Sequence, residues 1–270
     1  MFLKGDASAI EWRIKVHLAN DEVGIKEILS GFDLHSDNQQ IFGLPNRTIA
    51  KNFLYQMIYD DAFGDRGING PAWSYAHKPD FAVVSSSPKF WEKVITKFFE
   101  KYKGVHEHSV NLIREATTTG QIVSPTGRFY RYKPVMKYGK LDWDRSKMLN
   151  YIVQGLANDL MALARKQLRY HLGKLPEWQT GILLINTVHD DIELDVDHRL
   201  DNGKELVYNI SSLLEDCFSD IPKLFEKTYG HKMLVPMAGE VKIGFSLYEK
   251  EMIKFKRDNY EEIWQQLSQM

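Results

Sequence analysis

The chain has 270 residues, and its 35 Lys and Arg against 36 Asp and Glu leave a formal net charge of −1. This balance argues against a non-specific basic coat for nucleic acid, but it leaves open a cleft lined locally by cations. The single cysteine excludes an internal disulfide framework and a cysteine-rich zinc site. No run approaches the roughly 18 apolar residues of a membrane span, so we expect a soluble, cytoplasmic protein with no membrane partner.

Helical and strand periodicities alternate along the chain and predict a mixed α+β fold with a hairpin-bearing sheet. The sequence shows no internal repeat and no low-complexity tract. In chain order we predict a strand that turns into a helix after Ala7, a helix over 46–62, a long loop over 64–88, two helices within 85–120, a hairpin over 121–132, an amphipathic helix over 145–172, a strand–turn–strand unit over 180–196, a helix near 201–218 and a last strand over 239–249.

Two adjacent carboxylates, Asp190 and Asp191, follow an apolar run in the segment TVHDDIELDV. The continuous run 182–185 predicts a fully buried strand, and the alternation over 192–197 predicts a half-buried partner. His189 and the two aspartates would then lie at the tip of a hairpin, where they could converge on a metal ion or a phosphate. A turn that carries two solvated aspartates is the competing interpretation.

A second acidic position lies at Asp6, where the predicted first strand gives way to a helix. A side chain at this point and the backbone carbonyl after it can both face a cation. The alternative is a helix N-cap, a position at which Asp is common.

Two cations and two aromatic rings recur every four residues in the segment RTIAKNFLYQMIY. Arg47, Lys51, Tyr55 and Tyr59 therefore fan along one face of a helix, with successive members roughly 6 Å apart along the axis. Such a face suits a nucleoside triphosphate, whose phosphates would meet the cations and whose sugar and base would meet the rings. Aromatic residues at this spacing also form core stripes, although a core stripe should not continue into Arg and Lys.

The segment TGRFYRYKPVMKYGK interleaves cations with aromatic rings. This composition suits contact with a phosphate backbone and stacking on bases, and a solvated basic hairpin is the alternative. Further on, Gln154 is either a surface amide or a hydrogen-bond donor to a nucleic-acid minor groove. The cations of the basic segment are Arg128, Arg131, Lys133, Lys137 and Lys140.

Taken in order, DASAIEWR, RTIAKNFLYQMIY and VHDD resemble motifs A, B and C of the family A DNA polymerases. DLHS, TGRFYRY and NYIVQGLANDLM also resemble segments of that family in their proper places. The resemblance covers essentially the whole chain. It implies a right-hand polymerase fold, with an antiparallel palm sheet and helical fingers, that adds dNTPs to the 3′-hydroxyl of a primer–template.

The resemblance also implies roles for single residues. Two divalent metal ions, Mg²⁺ or Mn²⁺, would be bound by Asp6, Asp190 and the Ala7 carbonyl. The incoming dNTP would be bound by Arg47, Lys51, Tyr55, Glu11 and His35, with Lys51 able to protonate the leaving group and Glu11 helping to exclude a ribose 2′-hydroxyl. The DNA would be contacted by Tyr59, Arg128, Arg131, Gln154, His189 and Asp191, although Asp191 stands where the family usually has Glu.

The resemblance assigns residues 1–32 to the palm, 33–140 to the fingers and basic hairpin, and 141–270 to the palm, with the motif C hairpin over about 181–197. In the family a thumb and further palm precede motif A, whereas Asp6 is almost the first residue here. We therefore expect that thumb and exonuclease are absent from this chain and that a second polypeptide supplies the thumb and remaining palm. The chain would then be one subunit of a split polymerase of phage type, acting in the host cytoplasm, or a piece cut from a longer polymerase.

Three other functions remain possible at this point. A single-subunit RNA polymerase is disfavoured by Glu11 and by the helix around Gln154. A degenerate DNA-binding module has no physical need for the acidic, basic and aromatic positions together. A two-metal nuclease leaves the Lys and Tyr helix face unexplained.

Overall fold

The computed structural model describes residues 1–31, 33–59, 67–137 and 139–269. Contacts divide the chain into two compact units. We call Met1–Ile10 with Ala157–Met270 the sheet unit, and Glu11–Leu156 the helical unit. The main elements in chain order are β1 (Phe2–Ala7), α1 (Ile10–Ala19), α2 (Glu22–Ser30), α3 (Leu34–Phe42), α4 (Arg47–Tyr59), α5 (Asn69–His77), α6 (Pro79–Ala82), α7 (Pro88–Lys101), α8 (Lys103–Thr119), β2 (Gln121–Val123), β3 (Phe129–Arg131), β4 (Val135–Lys137), β5 (Lys140–Asp142), α9 (Arg145–Leu172), β6 (Ile182–Val188), β7 (Asp191–Val196), α10 (Gly203–Ser219), α11 (Ile221–Tyr229), β8 (Gly239–Gly244), β9 (Ile253–Lys254) and α12 (Tyr260–Leu267).

The sheet unit is built on a five-stranded antiparallel sheet in the order β6-β7-β1-β8-β9. Two glycines allow helix α10 to pack close against the sheet. A β-carbon at Gly5 would meet Leu214, and one at Gly239 would meet Phe218. The central strand β1 brings Asp6 opposite Asp191 on one neighbour and Glu240 on the other. Three acidic residues thus lie in one row across the three central strands, close to the C-terminal end of β1.

The helical unit has a core of aromatic rings. Phe53 of α4 lies 5.7 to 6.2 Å, centroid to centroid, from the rings of Phe42, Phe98, Tyr75 and Trp91, which come from three other helices of this unit, α3, α5 and α7. Rings of this size bury large apolar areas, and edge-to-face pairs add to their stability. This core fixes one face of α4, and the opposite face of the helix carries Lys51 to solvent.

The predicted mixed fold of helices and antiparallel strands is confirmed. The predicted loop over 64–88 is wrong in its second part, where α5 and α6 form. Pro71, Ala72, Tyr75 and Ala76 are buried at helical spacing, and this burial outweighs the turn-forming Gly and Pro that suggested a loop. The predicted end of the motif B helix at Ala62 lies outside the described residues, because α4 is described to Tyr59.

The full burial expected for 182–185 is wrong, whereas the burial expected for the apolar positions of 192–197 is confirmed. β6 is an edge strand whose Leu183, Ile185 and Val188 are 42 to 44% exposed, whereas Ile192, Leu194 and Val196 of β7 are at 0%. A strand with neighbours on both sides loses more surface than an edge strand, whatever its hydrophobic pattern. Among the described residues, no helix has the length and apolarity needed to cross a bilayer.

Candidate active site

Asp6 and Asp190 meet at one end of the sheet unit. The Ala7 amide donates a hydrogen bond of 3.1 Å to the Asp190 carbonyl, which holds the end of β1 beside the turn between β6 and β7. Although Asp6 reaches solvent, its burial against the protein raises its pKa to about 7, and the negative charges of Asp190 and Asp191 add to the rise. The Asp6 and Asp190 carboxylates therefore lie close together, and no cation among the described residues forms a salt bridge with either of them.

Asp191 has a different environment. Its carboxylate lies 3.0 Å from the Lys4 ammonium, which also lies 2.8 Å from the Glu249 carboxylate. Lys4 and Asp191 are both mostly buried, with side-chain exposures of 15 and 19%. Burial raises the pKa of Asp191, and the ion pair with Lys4 opposes that rise. The negative charge of Asp191 is thus balanced by Lys4 of the protein itself, in contrast to the charges of Asp6 and Asp190.

The donor set suits a hard divalent cation. Carboxylate oxygens are the ligands that Mg²⁺ prefers, and Mg²⁺ usually takes one or two protein carboxylates and fills its other positions with water and substrate oxygens. Within the described ranges, no three His, Cys, Asp or Glu side chains are arranged as a complete metal cage. Two uncompensated carboxylates with open positions around them fit an ion that shares its coordination with a substrate.

The helical unit carries the second group of predicted site residues, on α4. Arg47 and Lys51 are exposed near its N-terminal end, and Tyr55 and Tyr59 follow, half-buried, on the same face. The Lys51 ammonium lies 5.9 Å from the centroid of the Tyr55 ring, within cation–π range. Arg47 is held by Asp33, which accepts hydrogen bonds of 2.9 and 3.2 Å from its guanidinium.

His35 lies in the same unit, at the start of α3. Its side chain is buried, and burial together with the positive charges of Arg47 and Lys51 lowers its pKa to about 4. The ring is therefore neutral at pH 7. Its centroid is 6.3 Å from that of Tyr55, so α3 and α4 place this imidazole beside the predicted nucleotide face.

A third group forms around the Tyr59 hydroxyl. Burial raises the pKa of Tyr59, and the Glu11 carboxylate raises it further, while the side chain of Gln154 lies near enough to oppose the rise. Glu11 belongs to α1, Tyr59 to α4 and Gln154 to α9, so three distant segments of the helical unit converge here. The sequence predicted a role for each of these residues but not that they interact.

The remaining predicted DNA contacts lie on separate elements. Arg131 is exposed at the end of β3, opposite Gln121, and Arg128 is exposed just before that strand. Gln154 is exposed on α9. His189 is exposed at the hairpin tip, with a left-handed φ of 53° that the tight turn imposes.

Sequence reasoning assigned no role to three residues beside these groups. Lys4 neutralises the charge of Asp191, and Glu240 lies opposite Asp6 in the sheet. Arg13 is half-buried and lies near Tyr55. Burial lowers the pKa of Arg13, and Tyr55 opposes that fall. For Arg13 the signal was available, because it ends the motif quoted as DASAIEWR. Glu240 lies more than 200 residues from Asp6, and no local pattern joins the two.

The fold is that of a polymerase domain. The structure is similar to the POL domain of Pol1 from M. smegmatis in complex with DNA primer-template and dNTP, with a TM-score of 0.67, 19% identity, and coverage of 91% of this chain and 39% of that chain. The model of DNA polymerase family A matches residues 1–249. The chain belongs to DNA polymerase family A.

Curated relatives are DNA polymerases I of bacteria. The protein of Lactococcus lactis subsp. cremoris is 26% identical over 223 residues, which cover 77% of this chain and 23% of the relative. That of Caldicellulosiruptor bescii is 25% identical over 259 residues, which cover 92% of this chain and 27% of the relative. The chain thus spans about a quarter of the length of these relatives.

Proposed function

We propose that this chain is the catalytic part of a template-directed DNA polymerase that adds dNTPs to a primer 3′-hydroxyl. The observation that carries the proposal is the pair of uncompensated carboxylates, Asp6 and Asp190, at the end of the central strand. Membership of DNA polymerase family A supports the same reaction.

Asp6, Asp190 and the Ala7 carbonyl would hold two divalent ions, Mg²⁺ or Mn²⁺. When bound, such ions lower the pKa of an attacking hydroxyl and stabilise the charge of departing pyrophosphate. Asp191 would contact the primer rather than a metal, because Lys4 already neutralises it.

The dNTP would be bound by residues of the helical unit. Lys51 is exposed and would contact the phosphates and protonate the leaving group, while the neutral His35 would contribute a hydrogen bond rather than a charge. Arg47 would exchange its contact with Asp33 for a phosphate, to which a guanidinium can donate two parallel hydrogen bonds. Tyr55 would lie against the sugar.

Glu11, whose carboxylate lies near the Tyr59 hydroxyl, would help to exclude a ribose 2′-hydroxyl and so select deoxyribose. Tyr59 and Gln154 would contact the primer–template, as would Arg128, Arg131 and His189. The same arrangement predicts that Glu11→Ala increases incorporation of ribonucleotides relative to deoxyribonucleotides.

We further propose that a second polypeptide supplies the thumb and the rest of the palm. This chain covers 39% of the structural neighbour, so the parts of that domain that it does not cover would be supplied by further sequence, in a second polypeptide or in the same one. A long protein–DNA interface binds more tightly than a partial one, so the chain alone should extend primers weakly or not at all.

Primer extension tests the proposal. A labelled primer–template, Mg²⁺ and four dNTPs are mixed with the chain, alone and together with the polypeptide encoded beside it, and Asp190→Asn is compared with the exposed control Asp201→Asn. We expect extension that Asp190→Asn abolishes and Asp201→Asn leaves intact. Extension by Asp190→Asn at the wild-type rate would refute the assigned chemistry. DNA binding without extension in either mixture would favour a DNA-binding module.

A further inference from the structure

One surface of the helical unit is more basic than the rest of the chain. Residues 121–141 contain Arg128, Arg131, Lys133, Lys137 and Lys140 and no Asp or Glu, whereas the whole chain has a net charge of −1. These residues form two consecutive hairpins, β2–β3 and β4–β5, which we call the hairpin arm (121–142). Tyr138 and the side chain of Lys137 lie outside the described part.

The hairpin arm exposes apolar side chains in cross-strand pairs. Met136 and Leu141 lie opposite each other in β4–β5, and each is 68% exposed. Phe129 lies opposite Val123 in β2–β3 and is 58% exposed. A short two-stranded hairpin normally places such side chains against a core. Large exposed apolar groups on two neighbouring hairpins therefore indicate a binding surface.

Cations flank these apolar groups. Arg131, Lys133 and Lys140 are exposed, and no carboxylate in the described ranges forms an ion pair with them. The opposite face of β2–β3 is occupied, because Ile122 is buried and Tyr130 packs against α9 at Gly155. The exposed face of β2–β3 thus carries Phe129 and Arg131 together. In β4–β5, Met136 and Leu141 share one face and Lys140 lies on the other, and Lys133 lies in the segment that joins the two hairpins.

The base of the second hairpin is fixed. Asp142 forms an ion pair of 3.0 Å with Arg145 of α9 and accepts a hydrogen bond of 2.8 Å from the Trp143 amide. These contacts join the end of β5 to the first turn of a long helix. A ligand that binds the hairpin arm would therefore order little additional backbone.

We propose that the hairpin arm binds single-stranded DNA, with Arg131, Lys133 and Lys140 on phosphates and Phe129, Met136 and Leu141 against bases. Unpaired bases present their faces to such side chains, whereas a duplex hides them in its stack. The bound strand is the unpaired template, and in this respect the inference rests on the proposed polymerase function. An acidic protein would match the charge but gives no reason for the exposed Phe129.

Fluorescence anisotropy tests the proposal, with a labelled 20-nucleotide oligo-dT and a labelled 20-base-pair duplex as probes at several NaCl concentrations. Two double variants change exposed side chains of the hairpin arm, Met136→Ser with Leu141→Ser and Lys133→Gln with Lys140→Gln. The matched control is Lys89→Gln with Lys93→Gln, on exposed positions of α7 in the same unit.

We expect the serine pair to weaken oligo-dT binding by about tenfold and to leave duplex binding unchanged. The glutamine pair should reduce the salt dependence of oligo-dT binding, by a slope of about 1.4 for two lost phosphate contacts, while the control behaves like wild type. Wild-type affinity and salt dependence in both arm variants would overturn the proposal and leave an acidic protein as the candidate ligand. Equal weakening of both probes by the serine pair would also overturn it, since the arm would then bind duplex.

Primer extension with the same variants separates this inference from the proposed function. On a template with a one-nucleotide overhang, the arm variants should extend as wild type does, and on a long overhang they should extend less. If the arm variants bind oligo-dT as wild type does while wild-type protein extends primers, the proposal for the hairpin arm is refuted and the proposed polymerase function stands. Failure of extension in all proteins would leave the anisotropy result as an independent measurement of the arm.

Discussion

The hydroxyl group of Tyr130 occupies the space in which a β-carbon at position 155 would stand. This contact explains a glycine inside a 28-residue helix, where Gly is roughly 1 kcal/mol less favourable than Ala. The absence of a side chain at Gly155 lets the β2–β3 hairpin lie directly on α9. Gln154, the residue before Gly155, is a predicted DNA contact, so the same packing fixes the backbone that carries it.

Gly155→Ala should therefore destabilise the protein, by about 1–3 kcal/mol, because the added methyl group overlaps Tyr130. In a Tyr130→Leu background, whose shorter side chain ends before it reaches α9, the same substitution should stabilise through helix propensity. Urea unfolding followed by circular dichroism measures all four proteins of this cycle. A stabilising effect of Gly155→Ala in both backgrounds would contradict the contact.

Lys15 gives stability a specific pH dependence. The side chain is fully buried, donates a hydrogen bond of 2.9 Å to Ser109, and has a pKa lowered to about 7 by burial. The unfolded chain keeps a lysine pKa near about 10.4. Between these values the unfolded state binds more protons, so the free energy of unfolding rises with pH across that window and stays lower below it.

Lys15→Met should accordingly be more stable than wild type at pH 6, by roughly 4–5 kcal/mol, with the difference shrinking towards pH 10. Urea unfolding at pH 6, 8 and 10 measures it, and Lys26→Met on the exposed side of α2 is the control. His108, which also interacts with Lys15, has a pKa lowered to about 3 and stays neutral throughout this range. A difference that does not change with pH would show that Lys15 is charged in the folded protein.

The row of acidic residues across the sheet should cost stability when no metal is bound. Asp6 lies opposite Asp191 and Glu240 and beside Asp190, and like charges directly opposite each other destabilise a sheet. Asp6→Asn should raise the melting temperature in EDTA by about 2–4 °C, a small effect because solvent reaches the site. Addition of MgCl₂ should raise the melting temperature of the wild type and leave that of Asp6→Asn nearly unchanged. An equal response of both proteins to Mg²⁺ would place the ion elsewhere.

Removal of Lys4 should destabilise the protein, whereas removal of the Asp6 charge should stabilise it. Lys4→Met leaves Asp191 without its partner in a mostly buried position, and we expect a loss of about 2 kcal/mol. Lys4→Met combined with Asp191→Asn should lose less than the sum of the two single variants. Thermal and urea unfolding measure this cycle, and additive effects would mean that the two side chains do not interact in solution.

The sequence was sufficient to predict the elements whose functional residues lie within one short segment. Strand β1, the face of α4 and the tip of the β6–β7 hairpin were all predicted from short segments, because their spacing alone places the side chains. It was insufficient where neighbours decide the outcome. The pattern of β6 suits a buried strand, yet Leu183 is exposed because the described sheet has no strand beyond it.

Contacts between distant segments were also beyond the sequence. Nothing in the helical pattern of α1 indicates that Lys15 faces the core at Ser109, since a lysine in an amphipathic helix normally points to solvent. Likewise, the sequence shows the glycine in α9, but it does not show that Tyr130 packs against this glycine. Each of these depends on a pairing over tens of residues that no local periodicity specifies.

The position of β1 at the centre of its sheet has a consequence for biosynthesis. Phe2 pairs with Asp195 on one side and Gly244 on the other, so β1 leaves the ribosome before both of its partner strands and must wait for them. The helical unit, complete at Leu156, emerges whole in the meantime and has its own core. Such a high contact order slows sheet formation and leaves β1 unpaired during translation. The strand that carries Asp6 is therefore made before both of its partners and can complete its pairing only after β8 has been synthesised.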